Sequence, residues 1–180
     1  MHDRGKGYAM NITLIRHPQT TANKNHIIYG VKDYDYTERG EHQALWIKEY
    51  MNMNYGFNSG FQENKGRFHI ISSPRGRALN LAETIGEDLE LDFEVRDEIS
   101  EMNFGIFEGL STDEAEKQFP DAYFNFQYHF DTTAIPEGES YDDFITRMDE
   151  FIEFLKDWII QHVLKEDRNY TAFLNEKGVF

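Results

Sequence analysis

The sequence predicts an α/β fold in which a mostly parallel central sheet is flanked by helices. Three observations lead there. Residues 11–15 (NITLI) and 67–72 (RFHIIS) are short β-branched runs that end in polar residues, as buried strands do. Each is followed by a loop and then a stretch of helical composition, and strand then helix, twice over, implies parallel pairing. The length of 180 residues supports one well-buried core, so a single domain over 1–180 is expected.

The elements follow in order. Strand 11–15 leads to a first helix over about 38–50, with Thr37 as its N-cap. An Asn- and Gly-rich connection (NMNYGFNSGFQENKG) precedes strand 67–72, and a second helix covers about 76–89. Residues 92–96 form a third strand; Ser111 with Glu114 makes a capping box for a helix that Pro120 ends. The aromatic stretch AYFNFQYHF at 122–130 reads as a helix or loop packed on the core, with a substrate lid as the alternative. Ser140 caps a long amphipathic helix to about residue 164, whose Phe144, Met148, Phe151, Leu155, Trp158 and Ile159 repeat near a 3.6 period. YTAFL at 170–174 reads as a last strand.

Composition narrows the partners. The net charge of −15 argues against nucleic acid and against an anionic membrane, both of which need a basic surface. No apolar run approaches a membrane span, and MHDRGKGYAM at 1–10 lacks the apolar stretch of a signal peptide, although it can be a leader before a start at Met10. The absence of cysteine excludes a disulfide framework, a thiolate metal site and a cysteine nucleophile, and a cytoplasmic location is expected. In so acidic a chain an anionic substrate needs concentrated arginines, which makes Arg16, Arg75 and Arg77 worth following.

Arg16 and His17 stand at the carboxyl end of the first strand, where open α/β sheets place their ligands. LIRHPQT at 14–20 resembles the R-H-G-x-T signature of the histidine phosphatase superfamily, which includes phosphoglycerate mutases. Asn23 falls where many members carry asparagine. Further similarities follow in the family's order: Gly30 with Asp33, Thr37 to Ala44, SSPRGRAL at 72–79, EMNFGIFEG at 101–109, and PEGES at 136–140 with Arg147. The resemblance spans residues 11 to about 150 and implies a three-layer, phosphoglycerate mutase-like domain.

It also implies a phosphomonoester hydrolase acting on a small phosphorylated substrate through a phosphohistidine on His17. A neutral imidazole attacks phosphorus in line and splits one difficult displacement into two easier ones. Arg16 and Arg77 match the phosphate-binding positions, where guanidinium forks hold phosphoryl oxygens bidentately, and Asn23 joins them. Glu101 matches the acid position, since the leaving alkoxide needs a proton that a carboxylic acid gives and later takes back from water. No metal or cofactor is implied, and oligomeric state and substrate identity stay open.

The pattern breaks in two places. Family members carry a second histidine after a late strand; here LNEKGVF aligns Glu176 with that histidine and Lys177 with the following glycine. A carboxylate there removes a donor and repels the phosphoryl group, and loss of one preorganised donor costs about 10²- to 10³-fold. The chain also stops soon afterwards, so it reads as short at its C-terminal end through truncation or a frameshift. Pro18 replaces the glycine of R-H-G, removing one backbone donor. Three readings therefore stay open: a weak phosphatase, a catalytically inactive pseudophosphatase that binds a phosphate ligand or a protein, and a damaged copy.

Overall fold

A computed structural model describes residues 12–55, 69–89, 91 and 93–176, without the side chains of residues 55, 88, 89 and 162–176. The first helical turn, α1 (Thr21–Lys24), is set by Thr20: its hydroxyl receives the Asn23 N–H while the Asn23 side chain receives the Thr20 N–H, a capping box. Helix α2 (Glu38–Tyr55) opens as expected at Thr37, whose hydroxyl accepts the Gly40 N–H at 3.0 Å. Glu38 and Glu41 in its first turn suit the positive end of the helix dipole.

Strand β1 (Ile70–Ser72) pairs in parallel with β2 (Phe93–Val95), Ile70 opposite Phe93, Ile71 opposite Glu94 and Ser72 opposite Val95. Helix α3 (Gly76–Leu89) makes the crossover between them, over the expected residues. Residues 11, 67, 68 and 92 of the expected strands lie outside the described residues. Ala44 of α2 and Leu81 and Ile85 of α3 form a buried cluster against Ile70, Leu91, Tyr36 and Ile47, which holds the two helices to the sheet. Fully burying such side chains contributes about 1.5 to 3 kcal/mol each for the larger aliphatic ones.

A second cluster lies around Phe107, which is completely buried with Met102, Ala115 and Ile135. Ser111 and Glu114 form the expected capping box of α4 (Thr112–Gln118). Pro120 ends that helix and opens another, α5 (Pro120–Tyr128), at whose first position its missing N–H costs nothing. Ala122, Tyr123 and Phe126 of α5 pack on the cluster, with Phe119 and Tyr123 edge-on to Phe107 at ring distances of 6.3 and 6.0 Å. That inner face packs the aromatic stretch on the core, while Phe124, Tyr128 and Phe130 are 55%, 70% and 44% exposed. Ser140 then accepts the Asp143 N–H at 3.1 Å to start α6 (Tyr141–Glu176).

Two expected strands are not formed. Residues 12–15 pair with nothing among the described residues, and Ile12, Leu14 and Ile15 are 63%, 93% and 39% exposed. A β-branched run is a strand only when a neighbour takes its hydrogen bonds. Residues 170–174 belong instead to α6, which runs past residue 164 because no Gly or Pro interrupts 141–176. A helix satisfies its backbone internally, so it needs no neighbour to continue. The parallel sheet is accordingly two-stranded among the described residues, and Glu176 ends a helix rather than following a strand.

Candidate active site

His17 is half-buried on the extended segment before α1, next to the buried Pro18. Its Nδ1 lies 2.8 Å from the Pro18 carbonyl oxygen. A carbonyl only accepts, so Nδ1 holds the proton and Nε2 presents its lone pair. Burial, above all, holds the His17 pKa below its ordinary 6.5, and the Arg77 and Arg16 guanidiniums lower it further. The Pro18 carbonyl and Glu101 pull the other way without reversing the shift. The ring is therefore neutral at pH 7, and the four expected residues His17, Arg16, Arg77 and Glu101 share one electrostatic neighbourhood.

Arg77, in the first turn of α3, is 4% exposed and points into the loop 30–33. Its Nη1 donates to the Lys32 carbonyl at 3.0 Å and to Asp33 Oδ1 at 3.1 Å, and its Nη2 donates to the Gly30 carbonyl at 2.9 Å. Asp33 also accepts the Gly76 and Arg77 N–H groups through Oδ2 and Oδ1, capping α3. The ring of Tyr29 lies 4.5 Å from the Arg77 guanidinium carbon. Arg16, by contrast, is exposed, and Arg75 donates through Nη1 to the Val31 carbonyl at 3.3 Å.

Asn23 serves the backbone first. Its Oδ1 accepts the Thr20 N–H at 3.0 Å and the Thr20 hydroxyl at 3.1 Å. Only its amide N–H₂ face is left to meet a ligand.

Glu101 is exposed and its Oε1 accepts the Met102 N–H at 3.0 Å. The loop carrying it is fixed by Arg147, whose Nη1 donates to the Glu98 and Ser100 carbonyls, both at 2.7 Å. The same guanidinium grips Glu139 bidentately, at 2.6 and 2.9 Å. Glu139 in turn donates its N–H to the Asn103 carbonyl at 2.9 Å and accepts the Asn103 N–H on Oε2 at 3.3 Å. The motif residues Glu139 and Arg147 thus act as a clamp on the segment 98–103.

Glu108 makes a second tie. Its Oε1 accepts the N–H groups of Gly30, Val31 and Phe104 at 2.8, 3.1 and 3.0 Å, and its Oε2 that of Lys32 at 3.2 Å. One carboxylate therefore joins the loop that receives Arg77 to the segment that carries Glu101. Sequence reasoning matched this glutamate and Asp33 as motif positions without a role, and missed Tyr29. The sequence signals were the motif positions of Asp33 and Glu108 and, for Tyr29, its place next to Gly30. Glu176 closes α6, and its side chain, like residues 177–180, lies outside the described residues. Among the described residues no group of three or more His, Cys, Asp or Glu is arranged to hold a metal ion.

A parallel β-α-β crossover with helices on the sheet, together with the likeness to solved structures, makes this an α/β protein of the phosphoglycerate mutase-like fold. The chain belongs to the histidine phosphatase superfamily (branch 1), whose family model matches residues 12–162. It is 29% identical to a bifunctional protein of Mycobacterium tuberculosis over 144 residues, 79% of this chain and 36% of that protein. It is 26% identical over 148 residues to GpmB of Escherichia coli O1:K1, a probable phosphoglycerate mutase, covering 82% of this chain and 64% of the relative.

Among solved structures, it resembles the alpha-ribazole phosphatase of Shigella flexneri with a TM-score of 0.67 and 26% identity, over 82% of this chain and 67% of that one. It also resembles a mycobacterial glucosyl-3-phosphoglycerate phosphatase in complex with VO3, with a TM-score of 0.60 and 25% identity over 78% and 64% of the two chains. The chain thus spans roughly a third of the mycobacterial bifunctional relative and about two thirds of the others. Among the described residues no helix is long and apolar enough to cross a membrane.

Proposed function

We propose that the chain is a phosphomonoester hydrolase that works through a phosphohistidine on His17. The observation that carries this reading is the His17 imidazole itself: neutral, with Nδ1 tied to the Pro18 carbonyl, Nε2 unprotonated, and two guanidiniums near enough to lower its pKa. Nε2 attacks phosphorus, the P–O ester bond breaks, and the leaving alkoxide takes a proton from Glu101. Water then gives a proton back to the Glu101 carboxylate as its oxygen attacks phosphorus; the P–N bond breaks, and phosphate and His17 are released. Arg16, the remaining N–H groups of Arg77 and the amide of Asn23 hold the phosphoryl oxygens.

The net charge of −15 argues against nucleic acid and against an anionic membrane as partner. The similarity to two solved phosphatases supports a small phosphorylated substrate. Phosphate release from an aryl phosphate, compared between the protein and His17→Ala, tests the reading. Turnover that disappears in the variant is expected; equal background rates in both overturn it.

A second reading is a pseudophosphatase that binds a phosphate ligand without turnover. It is favoured by Arg77, which gives three of its N–H hydrogens to the loop 30–33, and by the carboxylate of Glu176 in the sequence position of a second histidine. Calorimetry with vanadate separates the two: binding with no turnover selects this reading, and no binding removes both.

A further inference from the structure

We propose that Tyr29 is a positioning residue that holds His17 and Arg77 in the arrangement that receives a phosphoryl group. The proposal rests on the phosphatase reading for its purpose, though not for its geometry. Tyr29 touches the histidine, the buried arginine and the N-cap of α1 together.

Its three parts do three things. The ring face lies against the Arg77 guanidinium at 4.5 Å, where a π-cloud attracts a cation and fixes the plane of the fork. The ring edge packs on His17 at 6.4 Å between centroids, with the planes inclined at 66°, and so helps exclude water from the imidazole. The hydroxyl lies 2.7 Å from the fully buried Thr20 Oγ1. Thr20 gives its own hydrogen to Asn23 Oδ1 at 3.1 Å, so Tyr29 is the donor to Thr20. Tyr34, edge-on at 5.3 Å, backs the ring from another side.

The arrangement is not one that bulk alone reproduces. Leucine fills the space but has no face for Arg77 and no hydroxyl for Thr20. Phenylalanine keeps both ring contacts and loses only the link to the α1 turn. The two substitutions therefore separate ring from hydroxyl. Charged and polar groups that act on His17 are Arg77, Arg16, Glu101 and the Pro18 carbonyl, and neither variant removes any of them.

The experiment follows the ¹⁵N titration of the His17 imidazole and the affinity for vanadate in the full chain, in Tyr29→Phe and in Tyr29→Leu, with circular dichroism as the check on folding. In Tyr29→Leu the His17 titration is expected to move up toward the ordinary 6.5, because water reaches the ring. Vanadate affinity is expected to fall about tenfold as the Arg77 plane is released. In Tyr29→Phe the titration stays where it is in the unchanged protein, and affinity falls about threefold through the loosened Asn23 turn.

A folded Tyr29→Leu variant that titrates and binds as the unchanged protein does overturns the proposal. Where the leucine variant does not fold, a phenylalanine variant with unaltered vanadate affinity assigns Tyr29 to packing alone and also overturns it. If the unchanged protein neither binds vanadate nor hydrolyses an aryl phosphate, the phosphatase reading fails by itself. The histidine titration still decides whether Tyr29 holds His17.

Discussion

The Glu108 carboxylate receives the Gly30 N–H at 2.8 Å, across 78 residues of sequence. With Val31, Lys32 and Phe104 also donating, four backbone N–H groups converge on one side chain. Glu108→Gln keeps the shape but replaces one acceptor oxygen by an N–H₂ facing other donors. A loss of about 2 to 3 kcal/mol is expected, since hydrogen bonds to charged groups contribute about 1.5 to 3 kcal/mol and orphaned donors cost more. Chemical denaturation measures it, and an unchanged midpoint shows that the carboxylate is not holding the loop.

Gly30 itself has no room for a side chain. A Cβ there meets the Met102 carbonyl oxygen at 1.7 Å, and backbone cannot swing aside as a side chain does. Gly30→Ala is expected to lose about 3 kcal/mol, the upper end for overpacking, read as a drop in melting temperature. A variant that melts with the parent removes the close approach of the two segments.

Arg147 clamps the loop that carries Glu101 through four donated bonds. Arg147→Ala leaves Glu139 and two carbonyls without their partner in a partly buried place. About 2 to 4 kcal/mol of stability is expected to go, somewhat below the figure for a fully buried pair. If the variant stays folded at low temperature, kcat falls while vanadate affinity is retained, because Glu101 rather than the phosphate pocket has been released. Loss of both together points to a general collapse instead.

The depressed pKa of His17 sets the sign of two pH effects. The neutral ring is the reactive form, so the His17-dependent part of kcat/KM is expected to fall as pH drops through a value below 6.5. Stability moves the same way. The unfolded chain takes up the proton first, so the contribution present at pH 7 is lost as pH falls below the unfolded value of about 6.5 and levels off below the folded one. His17→Gln is expected to flatten that part of the melting-temperature profile; an unaltered slope shows that His17 does not supply it.

Helix starts were legible in the sequence because they are decided within four residues. Ser111 with Glu114, Thr37 before α2, and Ser140 before α6 each cap the helix that their spacing implies. The strands at 11–15 and 170–174 were misread because strand formation depends on a partner elsewhere in the chain. Arg16 with His17, Arg77 and Glu101 stood out because each sits in its own short motif string, and the three charged ones lie near enough to act on the His17 charge. Tyr29, Asp33 and Glu108 were not given roles, because what they do is hold backbone or a cation brought near only by folding.

Pro18 carries the carbonyl that orients His17. Its ring confines its own φ to about −65°, and its bulk keeps the residue before it out of the helical region. Both restrictions are covalent, so they operate before the chain folds as well as after. The histidine and its partner start from few conformations, and little entropy is left to lose when the ring is set. Glycine at position 18 preserves every contact that the carbonyl makes yet lets the same dipeptide wander, so its effect on the protein originates in the denatured ensemble.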